Sequence, residues 1–352
     1  MAIEYIYNRS SATPWTDLAM RDLDTKLNMV LWMDAPLQNL AKRGPKPMSR
    51  HVEWHVDTVT QPTSVTNATE GGSAPTATTE VPTILSNAIH HADEGFGVSN
   101  LDRLFPTSWG VTDTYGDQAA RAVQRLIMQT DFNLLWSTYS ASTTTHKTSG
   151  LIQYVATSGA VRNEGSDASL AGATVPNDYC SFLTNVGATV TTSVLNTNLR
   201  TFFEAGTSLD NCVCMMAPVM KPVFDALLST QTVSASTVVP LQRFTRPLDD
   251  GMIGATVDYV RTSWGTFTLM VNKWMAGQTK TINVTGTTYD VTVNGDQDII
   301  IFNDELYEHR WAQPYEEFER AQTDKSSQGW IEATVVPVYR NPKGFCMLLD
   351  VN

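Results

Sequence analysis

From His51 to about Val98 the sequence opens on an alternating segment, His51-Val-Glu-Trp-His-Val-Asp57, passes through a run dense in Thr, Ser, Gly and Ala, and closes on a second strand-like segment near Val81 to Ile89. The pattern predicts a long two-stranded ribbon with little apolar surface of its own. A lone ribbon is marginal in water, and a structureless insertion of this length is uncommon inside a compact domain. The ribbon has to lie on another surface or stay disordered.

The chain has the material for a sizeable core. Of 352 residues, 42% are hydrophobic and 17% charged, the balance of a folded chain. The length predicts two compact units or one with a large insertion. Residues 16–34 read as a first helix, capped by Thr16, with Asp17 near the positive end of the dipole and Leu23, Leu27, Val30 and Leu31 at helical spacing. Ala35-Pro36 stops it. A basic stretch follows, Lys42, Arg43, Lys46 and Arg50, broken by Gly44, Pro45 and Pro47 and therefore read as a loop. After the ribbon the clearest helix runs from Asp117 to about Tyr139, with Ala120, Val123, Ile127 and Leu134 on one face.

Residues 140–180 carry no periodic signal. A helix near Ser193 to Ala205 (Leu195, Leu199, Phe202, Phe203), closed by Gly206, then leads into a buried strand, Cys212 to Ala217. Pro218 opens another helix with Val223, Phe224, Leu227 and Leu228 inward, so the unit is helix, strand, helix around a sheet. Beyond it the chain is mainly β: Val238 to Phe244, Thr256 to Arg261 paired with Thr266 to Asn272, and a hairpin of Thr281 to Val284 with Tyr289 to Val293. Trp330 to Val351 alternates and turns at Asn341-Pro-Lys-Gly344, which predicts a second hairpin.

The search for chemistry is largely empty. The sequence has no phosphate loop, dinucleotide fingerprint, nucleophile elbow or His-Glu-x-x-His pair. His51, Glu53, His55 and Asp57 share one strand face. Neighbours two apart stand about 7 Å from each other, so the face reads as solvated or interfacial and not as a metal site. His90 and His91 point to opposite faces of a strand, and the adjacent acids Asp93-Glu94, Asp249-Asp250 and Glu316-Glu317 read as solvated turns or helix ends. Cys180, Cys212, Cys214 and Cys346 lack zinc-site spacing, and Cys212-x-Cys214, in an apolar run, reads as a pair of buried thiols. No catalytic group, cofactor or metal is expected. The formal charge of −12 is opposite to that of a protein that grips nucleic acid. The apolar runs are far below the ~20 residues of a membrane span, and the start, Met1-Ala-Ile-Glu4, does not read as a signal peptide. The protein is expected to stay in the cytosol, or in something assembled there.

The order of elements, N-terminal helix, basic loop, Thr/Ser-rich ribbon, long spine helix, α/β unit, β-rich stretch and terminal strands, resembles the major capsid (major head) proteins of tailed bacteriophages. Their fold is shared with encapsulins and the herpesvirus capsid floor. The wording is similar too, in Asp34-Ala-Pro-Leu37 leading to Lys42-Arg-Gly44 and Glu53-Trp54-His-Val-Asp57, and in Glu332-Ala-Thr-Val-Val-Pro-Val-Tyr339 before Asn341-Pro342. The resemblance implies an α+β capsid fold with an N-terminal arm (1–47), an extended β-ribbon loop (48–98) and a peripheral domain with the spine helix (99–146). An axial α/β domain (147–310) with a hairpin insertion near 277–297 follows, and then strands returning to the peripheral domain (311–352).

The implied function is self-assembly as hexamers and pentamers into an icosahedral virion shell around packaged double-stranded DNA, which an acidic wall contacts weakly. Assembly is expected in the host cytoplasm, with a separate scaffolding protein, a portal, possible cement or decoration proteins and no membrane. An encapsulin-like cellular shell around a protein cargo is the nearest alternative. A β-rich adhesin or carbohydrate-binding module is an alternative of another class, and a hydrolase using the His51 to Asp57 face is the most distant.

Between His51 and Gly97 stand six acids, Glu53, Asp57, Glu70, Glu80, Asp93 and Glu94, and no Lys or Arg. Such a loop is expected to seek a positive surface. Together with Trp54, these acids are expected at subunit contacts. Their expected partners are Arg121 and Arg125, four apart on the spine helix of a neighbour, and Lys42, Arg43, Lys46 and Arg50.

Some members of this fold lock the shell by joining a loop lysine to a neighbour's asparagine, a step that needs an amine at the loop. Here the flanking lysines are Lys46 and Lys147, on either side of the ribbon and spine helix. The expected shell is therefore non-covalent. Mature particles boiled in detergent and reductant should run as one band near 38.8 kDa, or slightly below if trimmed; a surviving ladder of multimers would refute this.

Overall fold

The computed structural model describes residues 35–57, 70, 72, 82–101, 114–141, 146–162, 181–188, 192–204, 211–229, 242–244, 259–262, 264–283, 290–320 and 325–351. The first half of the chain contributes α1 (Pro36–Leu40), β1 (Lys42–Arg43), β2 (His51–Val56), β3 (Thr83–Ala88), β4 (His90–Ser99), α2 (Thr114–Trp136), β5 (Ser140–Ala141), β6 (His146–Lys147), α3 (Leu151–Ser158) and β7 (Gly159–Arg162). Then come β8 (Ser181–Ala188), α4 (Thr192–Glu204), β9 (Cys212–Met216), α5 (Met220–Ser229), β10 (Gln242–Phe244), β11 (Tyr259–Thr262) and β12 (Gly265–Val271). The remaining strands are β13 (Thr279–Asn283), β14 (Asp290–Asn294), β15 (Ile299–Asn303), β16 (Tyr307–Glu319), β17 (Ser326–Tyr339) and β18 (Phe345–Val351). The fold is α+β. It divides into two compact units, one drawing its described residues from Met1–Ala35, His91–Asp131 and Gln313–Thr334, the other from Pro36–His90, Phe132–Ala312 and Val335–Asn352.

The larger unit is organised by an eight-stranded mixed sheet in the order β10-β11-β12-β9-β15-β18-β8-β7. Its centre is apolar at every position because both faces are covered, as the unbroken runs Cys212–Met216, Ile299–Phe302 and Phe345–Leu349 require. Alternate side chains part to opposite sides. Cys212, Cys214, Met216, Ile299, Ile301, Cys346 and Leu348 meet Leu195, Leu199 and Phe202 of α4 and Met220 and Phe224 of α5. Val213, Met215, Ile300, Phe302, Phe345, Met347 and Leu349 face a second core. That core takes Leu151, Ile152 and Val155 from α3, Ile282, Val291 and Val293 from the β13–β14 hairpin, and Val52, Trp54 and Val56 from β2. Tyr339 stacks on Tyr154 within it, ring centroids 4.2 Å apart.

The smaller unit packs a helix on a sheet. The stretch Thr114–Asp131 of α2 buries Ala119, Ala122, Leu126 and Thr130, a line at helical spacing. The sheet contributes Ala92, Phe96 and Val98 from β4 and Ser327, Ile331 and Ala333 from β17. Phe96 lies 5.1 Å from Tyr115 of the helix, and Gly329 allows this approach, since a Cβ there would stand 2.7 Å from the Phe96 ring. The Asn100 amide donates to the Lys325 carbonyl and the Arg320 amide to the Gln328 carbonyl, which makes β4, β17 and β16 antiparallel neighbours in that order.

Several expectations need correction. Pro36 does not merely stop a helix but opens α1, where a residue without an N–H and with φ already near helical is well suited to the first turn. The predicted helix 16–34 lies outside the described residues. Two residues of the basic stretch, Lys42 and Arg43, are not loop but pair in parallel with Glu308 and His309 of β16. The spine helix is present, but its buried line is not Ala120, Val123 and Ile127: Ala120 is exposed and the other two are half-buried. In the silent stretch 140–180 stands α3, which buries nearly every residue from Leu151 to Ala156. Trp330 to Val351 is not a hairpin. A 3₁₀ turn, Pro342–Gly344, capped by the Asn341 side chain, carries the chain from β17 into β18, which pairs with β15 and β8 instead. The unbroken apolar run of β18 demands cover on both faces, which an edge hairpin would not give.

The ribbon's base is fixed by Asn87, which is almost fully buried in β3. Its Nδ2 donates to the carbonyls of Pro337 (3.0 Å) and Ser149 (3.3 Å), while its Oδ1 accepts from the Ala88 and Ser149 amides (each 2.9 Å) and the Thr148 hydroxyl (3.2 Å). Removing that side chain strands buried donors and acceptors, each costing about 1–3 kcal/mol. Asn87→Ala should lower the stability of the unassembled chain by about 3 kcal/mol, as the shift of a urea unfolding midpoint at unchanged slope.

Candidate assembly surface

Alternation along β2 gives the ribbon two chemically distinct faces. Val52, Trp54 and Val56 enter the core, while His51, Glu53, His55 and the following Asp57 are exposed. The cross-strand partners are Ser86 for Glu53, Leu85 for Trp54 and Ile84 for His55, so the outward face carries an exposed isoleucine among polar groups. Among the described residues no three His, Cys, Asp or Glu side chains are grouped so as to hold a metal ion. The outward face is polar and exposed around Ile84.

Where the chain enters the ribbon, β1 is clamped to the start of β16. The Gly44 amide donates to the His309 carbonyl at 2.9 Å. Gly44 presses so closely on Glu308 that a Cβ would overlap its carboxylate, 1.7 Å from Oε1. Glu308 is itself buried, accepts from Arg310 Nε at 2.8 Å and Arg340 Nε at 2.7 Å, and so is paired from two sides. Lys42 reaches Glu305 at 3.7 Å, an exposed and therefore weak pair. Next to Glu308, His309 is buried against Tyr307, with its Nε2 and the Tyr307 hydroxyl sharing a hydrogen bond of 2.7 Å. Burial away from water disfavours the imidazolium and pushes the His309 pKa down to about 3.

The residues expected at contacts fall into three groups. Exposed are Lys42, Arg43, Lys46, Arg50, Glu53, Asp57, Glu70 and Asp93. Paired within the chain are Arg125, whose Nε lies 2.7 Å from Glu94, and Arg121, 2.8 Å from Asp117 of its own helix. Trp54 is buried in the chain's own core, and Glu80 lies outside the described residues. Asn87, Gly44, Glu308 and His309 were not singled out from sequence. Gly44 alone carried a signal, as the glycine ending Lys42-Arg-Gly44. The three described cysteines are buried and form no disulfide, and burial raises the pKa of Cys214 and Cys346; Cys180 lies outside the described residues.

A family model described as SU10 major capsid protein matches residues 4–352. No curated protein matches the sequence. Among solved structures, the capsid asymmetric unit of cyanophage A-1(L) aligns with a TM-score of 0.62 at 13% identity, over 96% of this chain and 98% of that one. The capsid of the native GTA particle aligns at 0.59 and 11% identity, over 99% and 100%. The capsid of cyanophage P-SCSP1u aligns at 0.56 and 12% identity, over 97% and 96%. At these identities the likeness is one of fold.

The depressed His309 pKa has a consequence with a fixed sign. The unfolded chain takes up this proton near pH 6.5 and the folded chain only near 3, so the unfolded state binds more protons between those values. Stability is complete above about pH 6.5 and falls as the pH drops through that window. Unfolding midpoints measured between pH 7 and 5, where carboxylates hardly titrate, should fall for the native chain and change less for His309→Gln; equal slopes would exclude His309 as the cause.

Proposed function

The chain belongs to the SU10 major capsid protein family, whose members are structural shell proteins and not enzymes, and from this premise we propose how it builds its shell. It is a major capsid protein, a virion component that assembles as hexamers and pentamers, the general function of the family. The shell is proposed to enclose packaged double-stranded DNA, to form in the host cytoplasm on a separate scaffold, and to carry a portal and possible cement proteins. The observation that carries the reading is a family match over nearly the whole length of the chain.

The domain map is part of the proposal: arm 1–47, extended loop 48–98, peripheral domain 99–146 with the return strands 311–352, of which β18 passes into the eight-stranded sheet, and axial domain 147–310. In this map β4 serves both as the return limb of the loop and as a strand beside β17. The ribbon between β2 and β3 reaches out to a neighbouring subunit, its outward face of Glu53, Asp57 and Ile84 covered on assembly. Ordering and association are then coupled, because a strand pair with so little apolar surface gains its cover only from a partner. Exposed acids and exposed cations, Glu70 and Asp93 against Lys46 and Arg50, are proposed to meet across subunits. Glu94, Arg121 and Arg125 take part only if they exchange the partners they hold within the chain.

Deleting Gln61 to Thr79 should leave a soluble chain with native circular dichroism that fails to form shells, because the segment offers little to an intramolecular core. Electron microscopy of the deletion expressed with its scaffold is the test; normal particles, or an unfolded monomer, would each reject the assignment.

A further inference from the structure

The sheet of the smaller unit has one face on α2, and its other face is open among the described residues. Three observations fix the register of that face: the Asn100 to Lys325 and Arg320 to Gln328 amide bonds, the 2.9 Å contact of His91 Nδ1 with Thr334 Oγ1, and the stacking of Phe318 on Trp330 at 5.7 Å and 18°. In that register Asp93, Glu332 and Glu316 form one row across β4, β17 and β16. Gly95, Trp330 and Phe318 form the next row.

Each row is incomplete alone. Like charges directly opposite on neighbouring strands destabilise a sheet, and here three carboxylates stand in line, Asp93 and Glu316 exposed and Glu332 accepting the Trp330 indole N–H at 2.7 Å. Arg320 lies two residues from Phe318 on the far side of the aromatic row and is turned to Gln328 at 3.3 Å. In the aromatic row Gly95 leaves open space beside the two rings, since a Cβ there would meet nothing within 4 Å.

The chain carries a segment that complements both rows. Arg43, Lys46 and Arg50 are exposed, with no acid until Glu53, and Met48 between them is fully exposed. Lys46 precedes Pro47, which holds it extended. In an extended segment Lys46 and Met48 point the same way about 7 Å apart, the same spacing that separates alternate residues along a strand and hence the two rows. Lys46 would stand over the carboxylates as Met48 reaches the Trp330 and Phe318 rings, where a thioether makes a favourable sulfur–aromatic contact.

We infer that the open face of Asp93, Glu316, Glu332, Phe318 and Trp330 is the docking site for the basic segment 43–50 of a second copy of this chain. This rests on the shell-building function and names one of its contacts. Other occupants, a scaffold or a cement protein, are outcomes that the test separates.

The test uses shells of the native full-length chain, assembled from equal parts of light and heavy-nitrogen protein and treated with a water-soluble carbodiimide. The reagent adds to a carboxylate as an O-acylisourea, the Lys46 amine attacks its carbonyl carbon and expels the reagent as a urea, and an amide remains only where the two groups touch. The expected result is a peptide joining Lys46 to Asp93, Glu316 or Glu332 with mixed isotopes, the mark of two copies. As a second measurement, Lys46→Glu should reduce shell yield at least tenfold, and Asp93→Lys with Glu316→Lys should restore it. Intact shells in which Lys46 joins only other carboxylates, joins these within one copy, or joins nothing would overturn the inference and leave the capsid function standing. Cross-links from these acids to a scaffold or cement chain instead would also overturn it. A native chain that forms no shells with its scaffold would overturn the assembly reading itself.

Discussion

Three strands that carry unbroken apolar runs, Cys212–Met216, Ile299–Phe302 and Phe345–Leu349, govern this molecule. β9, β15 and β18 cannot leave either face in water, so each face must recruit a layer of its own. Helices α4 and α5 form one layer. The other is assembled from pieces distant in sequence, α3, the β13–β14 hairpin and the inner face of β2. Through the second layer a ribbon with little apolar surface of its own is tied at its base to a deeply buried part of the chain.

That tie is polar as well as apolar. Asn87 satisfies five hydrogen-bonding groups from three segments at once, and Glu308 is held by two arginines where Gly44 lets the backbone press against it. Such networks are costly when incomplete and specific when complete. They fix the base of the ribbon, β2 and β3, on the body of the larger unit.

Period-two patterns were legible from sequence wherever one face is buried and the other is not: Val52, Trp54 and Val56 inward, His51, Glu53 and His55 outward. The core strand Cys212–Met216 was legible because nothing but a doubly covered strand accommodates such a run in so few residues. The buried line of α2 was not, because small residues, Ala119 and Ala122, mark it while the bulkier Val123 and Ile127 draw the eye to the neighbouring stripe. Asn341-Pro342 signalled a turn truly but could not say which strand the outgoing chain would join. Of the candidate assembly surface, sequence indicated the charges that the structure leaves exposed. It gave no hint of Asn87 or His309, whose roles come from groups far away in the chain, nor that Arg125 would already be paired with Glu94.

Cys212, Cys214 and Cys346 lie on one face of the central sheet, each almost fully buried and unbridged. Burial keeps Cys214 and Cys346 as thiols, while oxidants and metals react with the thiolate. At these positions the central sheet has neither a bond that reduction could open nor an accessible sulfur that oxygen could attack, so a change of redox environment leaves it chemically unaltered.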